Sequence, residues 1–218
     1  AAETLPAAVA ERLCVLSGPT FAREIALGVP SAAVVAGHDA DSRNAVQALL
    51  SSGSFRLYTS DDVLGVELGG ALKNVVALAV GILEGAGQGK NTQAALMTRA
   101  IAELSRLVTV MGGDPFTVTG LSGVGDLILT CTGGLSRNRQ VGIRLGRGES
   151  LNDILAGMRM IAEGVETSRS GHHLARKHDV DMPIIETVYR VLHEGADITT
   201  AFLALMDRQL TEEFRGLP

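Results

Sequence analysis

The sequence predicts a small α/β segment followed by a larger all-α domain, and three observations lead to this fold class. Short apolar runs typical of strands lie before residue 60. After Asp61 the apolar residues recur at steps of three and four, as on the buried face of a helix. The chain has 218 residues, 46% apolar and 20% charged, so it can bury a core without disulfides or metals.

The first segment contains three predicted strands and one helix. Apolar runs at residues 12–16 and 32–36 and an alternating run at 55–58 predict the strands. Helical spacing covers residues 41–50, where Asp41 or Ser42 is the expected N-cap. Three strands and one helix make a poor domain alone. We therefore expect the end of a larger α/β sheet, the beginning of which is not in this sequence.

The second segment is helical throughout. Long apolar helices are predicted at residues 63–84 and from residue 90 to the glycine pair 112–113. Shorter helices are predicted at residues 124–130, 137–145, 151–156, 165–177, 184–194 and 199–209. The chain is accordingly divided into a sheet-containing segment, residues 1–59, and an all-helical domain, residues 60–218.

Composition narrows the class of function and the compartment. A net charge of -5, the lack of Trp and the lack of a basic run with aromatics argue against nucleic-acid binding. Cys14 and Cys131 form no pair motif, which favours the reducing cytoplasm. The longest apolar stretch, residues 75–83, is too short to span a membrane, so no integral membrane segment is expected. The five histidines lack metal-ligand spacing, and no metal is expected.

Lys73 and Asp126 are the candidates for acid–base chemistry. Lys73 lies in an apolar helix, where a partly buried amine can protonate or polarise a carbonyl oxygen. Asp126 follows a glycine-rich stretch, and its carboxylate can orient the lysine or accept a substrate hydroxyl. Each residue has an ordinary alternative. Lys73 can extend from a core helix to water, and Asp126 can complement a helix N-terminus.

The run Ser136-Arg137-Asn138-Arg139 is the candidate anion site. Ser136 is expected to cap a helix, the first N–H groups of which face any anion at that end. Two arginines in a first helical turn oppose the helix dipole, so a bound anion explains them better than an ordinary cap does. Together with Lys73 and Asn74, this set suits a small phosphorylated carbonyl compound.

Two further segments carry weaker signals. The turn from Ser17 to Ala22 can offer backbone N–H groups and a hydroxyl to a ligand, although a plain turn is the simpler reading of that segment alone. Glu163 and Glu166 open a predicted helix and can contact a cofactor hydroxyl, but acids in a first turn are common for dipole reasons.

The order of these motifs resembles the bacterial NAD(P)-dependent glycerol-3-phosphate dehydrogenase family, from about residue 3 to about residue 210. The matching stretches are Leu16–Ala22, Val66–Asn74, Asn91-Thr92 with Arg99, Gly120–Leu127, Leu135–Arg139 and Ala162–Thr167. The resemblance implies a Rossmann-type domain, of which residues 1–59 are the C-terminal remnant, and a helical domain like the C-terminal domain of 6-phosphogluconate dehydrogenase. It implies interconversion of sn-glycerol 3-phosphate and dihydroxyacetone phosphate with NADPH or NADH, for phospholipid synthesis, and we expect a homodimer.

The resemblance also implies roles for individual residues. Lys73 matches the general acid/base. The residues that match substrate contacts are Gly18, Thr20, Lys73, Asn74, Asp126, Ser136, Arg137 and Asn138. The residues that match cofactor contacts are Ala22, Arg137, Ile161 and Glu163.

The sequence departs from the family pattern in three places. Family members begin with a Gly-x-Gly-x-x-Gly unit and carry a further substrate lysine before the Ser-Gly-Pro turn, and this sequence has neither. Lys90 stands where a small or acidic residue is expected. We therefore expect a truncated chain that does not turn over by itself. Two alternatives stay open, a related β-hydroxyacid dehydrogenase and a non-catalytic helical dimerisation module.

Overall fold

The computed structural model describes residues 5–158, 162–210 and 212–213. Its sheet has three strands in the order β1-β2-β3, with β1 antiparallel and β3 parallel to β2. The strands are β1 (Cys14–Ser17), β2 (Ser31–Gly37) and β3 (Phe55–Ser60), and the helices around them are α1 (Ala7–Ala10), α2 (Ala22–Ala26) and α3 (Ala40–Leu50). The three predicted strands and the helix between the last two are therefore confirmed.

The rest of the described chain is helical, as predicted. Its elements are α4 (Val63–Gly85), α5 (Lys90–Val110), α6 (Pro115–Thr119), a π-helical turn (Leu121–Gly125), α7 (Asp126–Thr132), α8 (Arg137–Gly146), α9 (Leu151–Ala156), α10 (Glu163–Lys177), α11 (Pro183–His193) and α12 (Ile198–Met206). The sheet followed by a mostly helical region confirms the predicted fold class, while the division at residue 60 stays a prediction.

The sheet buries a different set of side chains on each face, because successive residues of a strand point to opposite sides. Ala33 and Val35 of β2 pack with Val46 of α3 on one face. Val34 and Ala36 pack with Val66 of α4 on the other face. Helix α4 therefore joins the sheet to the helical region.

Helix α4 is the centre of the helical core. Every residue from Val75 to Leu83 is buried. The helix is long and apolar enough to cross a membrane by length and composition, but 72% of its most apolar window is buried inside the protein. Neighbouring helices thus cover most of the apolar surface of α4, as is usual for a core helix.

Helices α4 and α8 run parallel and touch backbone to backbone. A Cβ atom added at Gly142 would lie 2.2 Å from the Leu78 carbonyl oxygen. One added at Gly81 would lie 2.2 Å from the Arg139 carbonyl oxygen, and Gly85 and Gly146 meet backbone atoms one turn further along. Only glycine allows helix axes to approach so closely. This contact places the start of α8 beside the middle of α4.

Two local features differ from the sequence prediction. The N-cap of α3 is Asp39, which accepts the Ser42 N–H at 2.8 Å, so the prediction of Asp41 or Ser42 was wrong. Asp39 has the extended backbone that a capping residue needs, whereas Asp41 already lies inside the helix. Helix α2 begins at Ala22, the last residue of the expected turn, and was not predicted; its five residues are too few to give a periodic signal.

A buried carboxyl group links α5 to α11. Glu103 is 1% exposed and accepts the backbone N–H groups of Ile184 at 2.8 Å and Ile185 at 3.3 Å. The N-cap of α11, Met182, makes no side-chain capping bond. Glu103 therefore caps α11 from another helix, and its burial raises the pKa of its carboxyl group to about 8.

Candidate active site

The ammonium group of Lys73 contacts the carboxylate of Asp126. Lys73 projects from the middle of α4 with its side chain 19% exposed, and Asp126 begins α7 with its side chain 4% exposed. The π-helical turn before Asp126 can press against α4 because α4 has a glycine at that point. A Cβ at Gly69 would lie 2.9 Å from the Ser122 carbonyl oxygen. The sequence candidates for acid–base chemistry thus meet across 53 residues of chain.

Asp126 is held from three sides. Its Oδ1 accepts the Thr130 hydroxyl at 3.2 Å, and the backbone N–H of Gly18 donates to the same carboxylate. Burial is the largest influence on the Asp126 carboxyl and raises its pKa, while Lys73, Thr130 and Gly18 lower it. Sequence reasoning missed Thr130. Its position, four residues after Asp126 on one helix, is the signal that could have found it.

Asn138 joins three helices at the site. Its Nδ2 donates to Asn74 Oδ1 at 3.0 Å, and its Oδ1 accepts the backbone N–H of Gly164 at 2.9 Å. Both carboxamides are buried. A Cβ at Gly164 would lie 2.7 Å from the Asn74 carbonyl oxygen, so α10 can begin here because residue 164 is glycine. Sequence reasoning did not include this Gly164 contact.

The start of α8 carries the predicted cap. Ser136 Oγ accepts the Arg139 N–H at 3.3 Å, which confirms Ser136 as the N-cap. Arg137 lies with one Nη 3.6 Å from a Glu163 carboxylate oxygen, and both side chains are largely exposed. Arg139 turns away from this edge and binds Glu84 instead, at 2.7 Å. The two arginines of the predicted anion site therefore separate, and only Arg137 lies at the edge of the site.

The loop after β1 reaches the site through Gly18. This residue has a φ of 145°, and a Cβ there would lie 2.9 Å from Ala33 Cα, so both conformation and space require glycine. Thr20 Oγ1 donates to the Gly18 carbonyl oxygen at 3.1 Å. Ala22 is exposed at the start of α2. Ile161, a predicted cofactor contact, lies outside the described residues.

The assembled groups are an ammonium, a buried carboxylate, two carboxamides and an exposed guanidinium. An ammonium fixed by a carboxylate can donate a proton to an oxygen or hold its developing negative charge. The guanidinium can bind an anion such as phosphate. Among the described residues, no group of three or more His, Cys, Asp or Glu side chains could hold a metal ion.

Comparison with known families decides the class. The model described as NAD-dependent glycerol-3-phosphate dehydrogenase C-terminus matches residues 62–203, and the corresponding N-terminus model matches residues 1–43. The chain belongs to this family. The glycerol-3-phosphate dehydrogenase [NAD(P)+] of Geobacter metallireducens is 57% identical over 204 residues, which cover 94% of this chain and 61% of that protein. That of Geobacter sulfurreducens is 55% identical, with 97% and 63% covered. The chain thus spans about three fifths of these relatives.

Solved structures show the same architecture. The crystal structure of glycerol-3-phosphate dehydrogenase from Coxiella burnetii superposes with a TM-score of 0.87 at 41% identity, covering 89% of this chain and 60% of that one. The glycerol-3-phosphate dehydrogenase from Sacharomyces cerevisiae gives a TM-score of 0.77 at 28% identity, covering 85% and 57%. The family resemblance recognised from the motifs is confirmed.

Proposed function

We propose that this chain forms the substrate-binding and proton-transferring part of an enzyme that interconverts sn-glycerol 3-phosphate and dihydroxyacetone phosphate. The observation that carries this proposal is the contact between Lys73 and the buried carboxylate of Asp126. A lysine that only extended its ammonium group to solvent would not need a buried carboxylate partner that is itself held by Thr130 and Gly18. Membership of the family supports the same reaction.

The residues of this chain divide the chemistry between them. Lys73 delivers a proton to the carbonyl oxygen during reduction and takes it back during oxidation. Asp126 orients the ammonium and offsets its charge. Asn74 and Asn138 keep N–H groups for substrate hydroxyls, because each carboxamide nitrogen has two donors and the bridge uses one donor of Asn138 and only the oxygen of Asn74. Arg137, at the exposed edge, binds the phosphate.

The same edge suits a nicotinamide cofactor, which when bound would supply the hydride as NADPH or NADH and accept it as NADP+ or NAD+. Arg137 and Glu163 lie 3.6 Å apart there, and both side chains are largely exposed. A guanidinium and a carboxylate are the groups that cofactor phosphates and ribose hydroxyls require. We assign cofactor contacts to Arg137, Glu163 and the exposed Ala22.

Lys73→Ala tests the proton-transfer role. The assay uses a chimera in which this chain replaces the 204 matching residues of the Geobacter metallireducens relative. Oxidation of NADPH and NADH is followed with dihydroxyacetone phosphate. We expect turnover in the parent chimera and a loss of about 100-fold or more with Lys73→Ala, because a positioned acid contributes on that order. Lys177→Ala, on an exposed residue of α10, is the matched control and should keep full activity.

Other outcomes point to the alternatives. A parent chimera that reduces carboxylate substrates but not dihydroxyacetone phosphate indicates a β-hydroxyacid dehydrogenase. Equal activity with and without Lys73 removes this residue from the chemistry and favours the dimerisation module. The chain without the rest of the relative should show no turnover, and measurable turnover would contradict that expectation.

The whole protein, we further propose, is a cytoplasmic homodimer that supplies glycerol phosphate for phospholipid synthesis. Both cysteines are free, which supports a reducing compartment. Leu203 and Met206 on α12 are exposed apolar side chains, which supports burial against a second copy. Light scattering coupled to gel filtration measures the mass in solution, and a monomer at micromolar concentration would contradict the dimer.

A further inference from the structure

Glu84 and Arg139 form an ion pair behind the site, on the side of α8 that faces α4. One guanidinium nitrogen of Arg139 lies 2.7 Å from each carboxylate oxygen of Glu84. The Arg139 side chain is only 13% exposed and that of Glu84 is 30% exposed. The Arg139 Nε is buried and has no hydrogen-bond partner among the described residues. An arginine that gives up hydration in this way needs a partner that holds it firmly.

Each member of the pair stands at the wrong end of its own helix. Glu84 is next to last in α4, where the helix dipole disfavours negative charge, and Arg139 is third in α8, where the dipole disfavours positive charge. The last turn of α4 contains no basic residue and the first turn of α8 no acidic one, and the structure describes both turns in full. Neither charge is therefore stabilised by the dipole of its own helix, and each is stabilised by the opposite charge of its partner.

The Glu84–Arg139 pair resists sliding and rotation of α8 against α4, which the glycine contact between these helices does not. Gly81, Gly85, Gly142 and Gly146 set the distance between the helices, but they offer few side-chain ridges to stop one helix sliding along the other. A charged hydrogen bond is directional. The Glu84–Arg139 pair therefore fixes the axial position and the rotation of the first turn of α8.

We propose that Glu84 and Arg139 are positioning residues for substrate binding, a role that rests on the function proposed above. Arg137 and Asn138 directly precede Arg139 in the first turn of α8. The Asn138 bonds to Asn74 and Gly164, at 3.0 and 2.9 Å, survive only if that turn keeps its place. Lys73 and Asp126 lie on α4 and α7 and do not depend on it. The pair thus governs substrate affinity and leaves proton transfer to the other two residues.

The kinetic test uses Glu84→Gln in the chimera with the Geobacter metallireducens relative. We expect the KM for dihydroxyacetone phosphate to rise about tenfold while kcat stays within about threefold, because a misplaced hydrogen-bonding group at the substrate weakens binding on that order while Lys73 and Asp126 keep their contact. The matched control is Glu149→Gln, which removes the exposed pair between Arg144 of the same helix and Glu149 just after it, and should change both constants less than about twofold. A fall in kcat at unchanged KM would overturn the proposal, because loss of folded enzyme alone has that effect.

The reversed pair, Glu84→Arg with Arg139→Glu, provides the rescue. It keeps the attraction and places each charge at the end of the helix that the dipole favours. We expect the reversed pair to return the KM to within about threefold of the parent. A remaining difference of that size is no larger than the contribution of a single exposed ion pair. A reversed pair with the KM of Glu84→Gln would show that charge pairing is not what positions α8.

Amide hydrogen exchange of this chain separates failure of the positioning role from failure of the proposed function. The Gly164 N–H donates to Asn138 Oδ1, so its exchange reports whether the first turn of α8 is in place. We expect exchange about tenfold faster in Glu84→Gln, with the amide of Leu104 in the core unchanged. If the parent chimera is inactive but this change occurs, the proposed function fails and the positioning role stands. Unchanged Gly164 exchange overturns the positioning role.

Discussion

Gly142→Ala is expected to separate α8 from α4 and to destabilise the chain. The added methyl group would lie 2.2 Å from the Leu78 carbonyl oxygen and 2.9 Å from both Gly81 Cα and Ile82 N. All three are backbone atoms, so no side-chain rotation relieves the overlap. To reach an ordinary contact of 3.4 Å, the helices must move apart by about 1.2 Å.

The expected magnitude combines two opposing effects. Overpacking against a rigid backbone costs about 3 kcal/mol, the upper end of the usual range. Replacing glycine by alanine inside a helix returns about 1 kcal/mol. The free energy of unfolding should therefore fall by about 2 kcal/mol. The movement would also lengthen the 3.0 Å hydrogen bond between Asn138 and Asn74 beyond bonding distance.

Gly171→Ala is the matched control, since Gly171 lies inside α10. There the added methyl group meets only the ends of two side chains, Leu72 Cδ2 at 2.8 Å and Ile185 Cγ2 at 3.3 Å, which can move aside. Stability should stay equal or rise by up to about 1 kcal/mol. Urea unfolding followed by circular dichroism measures both variants. If Gly142→Ala unfolds at the same urea concentration as Gly171→Ala, the helices do not depend on backbone contact and the reasoning is refuted.

Two further predictions concern pH. The pKa of Glu103 is raised to about 8 from an ordinary value of 4.5, so its protonated form stabilises the fold fully below about pH 4.5 and that contribution is lost as the pH rises to about 8. Urea midpoints of the parent should fall relative to Glu103→Gln between pH 5 and pH 8, and parallel pH curves would contradict the burial argument. Burial and Arg169 lower the pKa of His193, the Nε2 of which lies 2.9 Å from Ser168 Oγ. The folded state therefore favours neutral His193. The stability that this provides is present above the ordinary pKa of 6.5 and is lost as the pH falls below it. His193→Gln should therefore lose less stability than the parent on going from pH 7.5 to pH 5.5, and an equal loss would remove His193 from the acid response.

The elements that sequence reasoning placed well are those with a long periodic signal or clear end signals. The start of α4 was predicted at Val63, and the glycine pair 112–113 does follow the end of α5. Apolar periodicity extends over more than twenty residues in α4, so single residues that depart from the pattern do not obscure it. Helix α2 has five residues and no capping side chain, which leaves no comparable pattern to read.

The candidate site was predictable where one residue type implies a chemistry. Lys73, Asp126 and Ser136 stand out because a charge or a cap in apolar surroundings needs an explanation. Thr130 and Glu84 do not stand out, because a threonine or a glutamate on a helix is ordinary until its partner is known. The role of Thr130 depends on its contact with Asp126 one turn earlier on the same helix, at 3.2 Å, and the role of Glu84 on a contact between helices, at 2.7 Å to Arg139. No spacing within one helix reveals the contact of Glu84 with Arg139, 55 residues later in the chain.

The capping of α11 by Glu103 has a consequence for local unfolding of the protein. Helix α11 begins with N–H groups that are satisfied by α5, 81 residues earlier in the chain. A helix of 11 residues is only marginally stable by itself. Its first turn therefore forms after α5 is in place and comes apart when α5 leaves. The two helices should exchange their amide protons as one cooperative unit, although they are far apart along the chain.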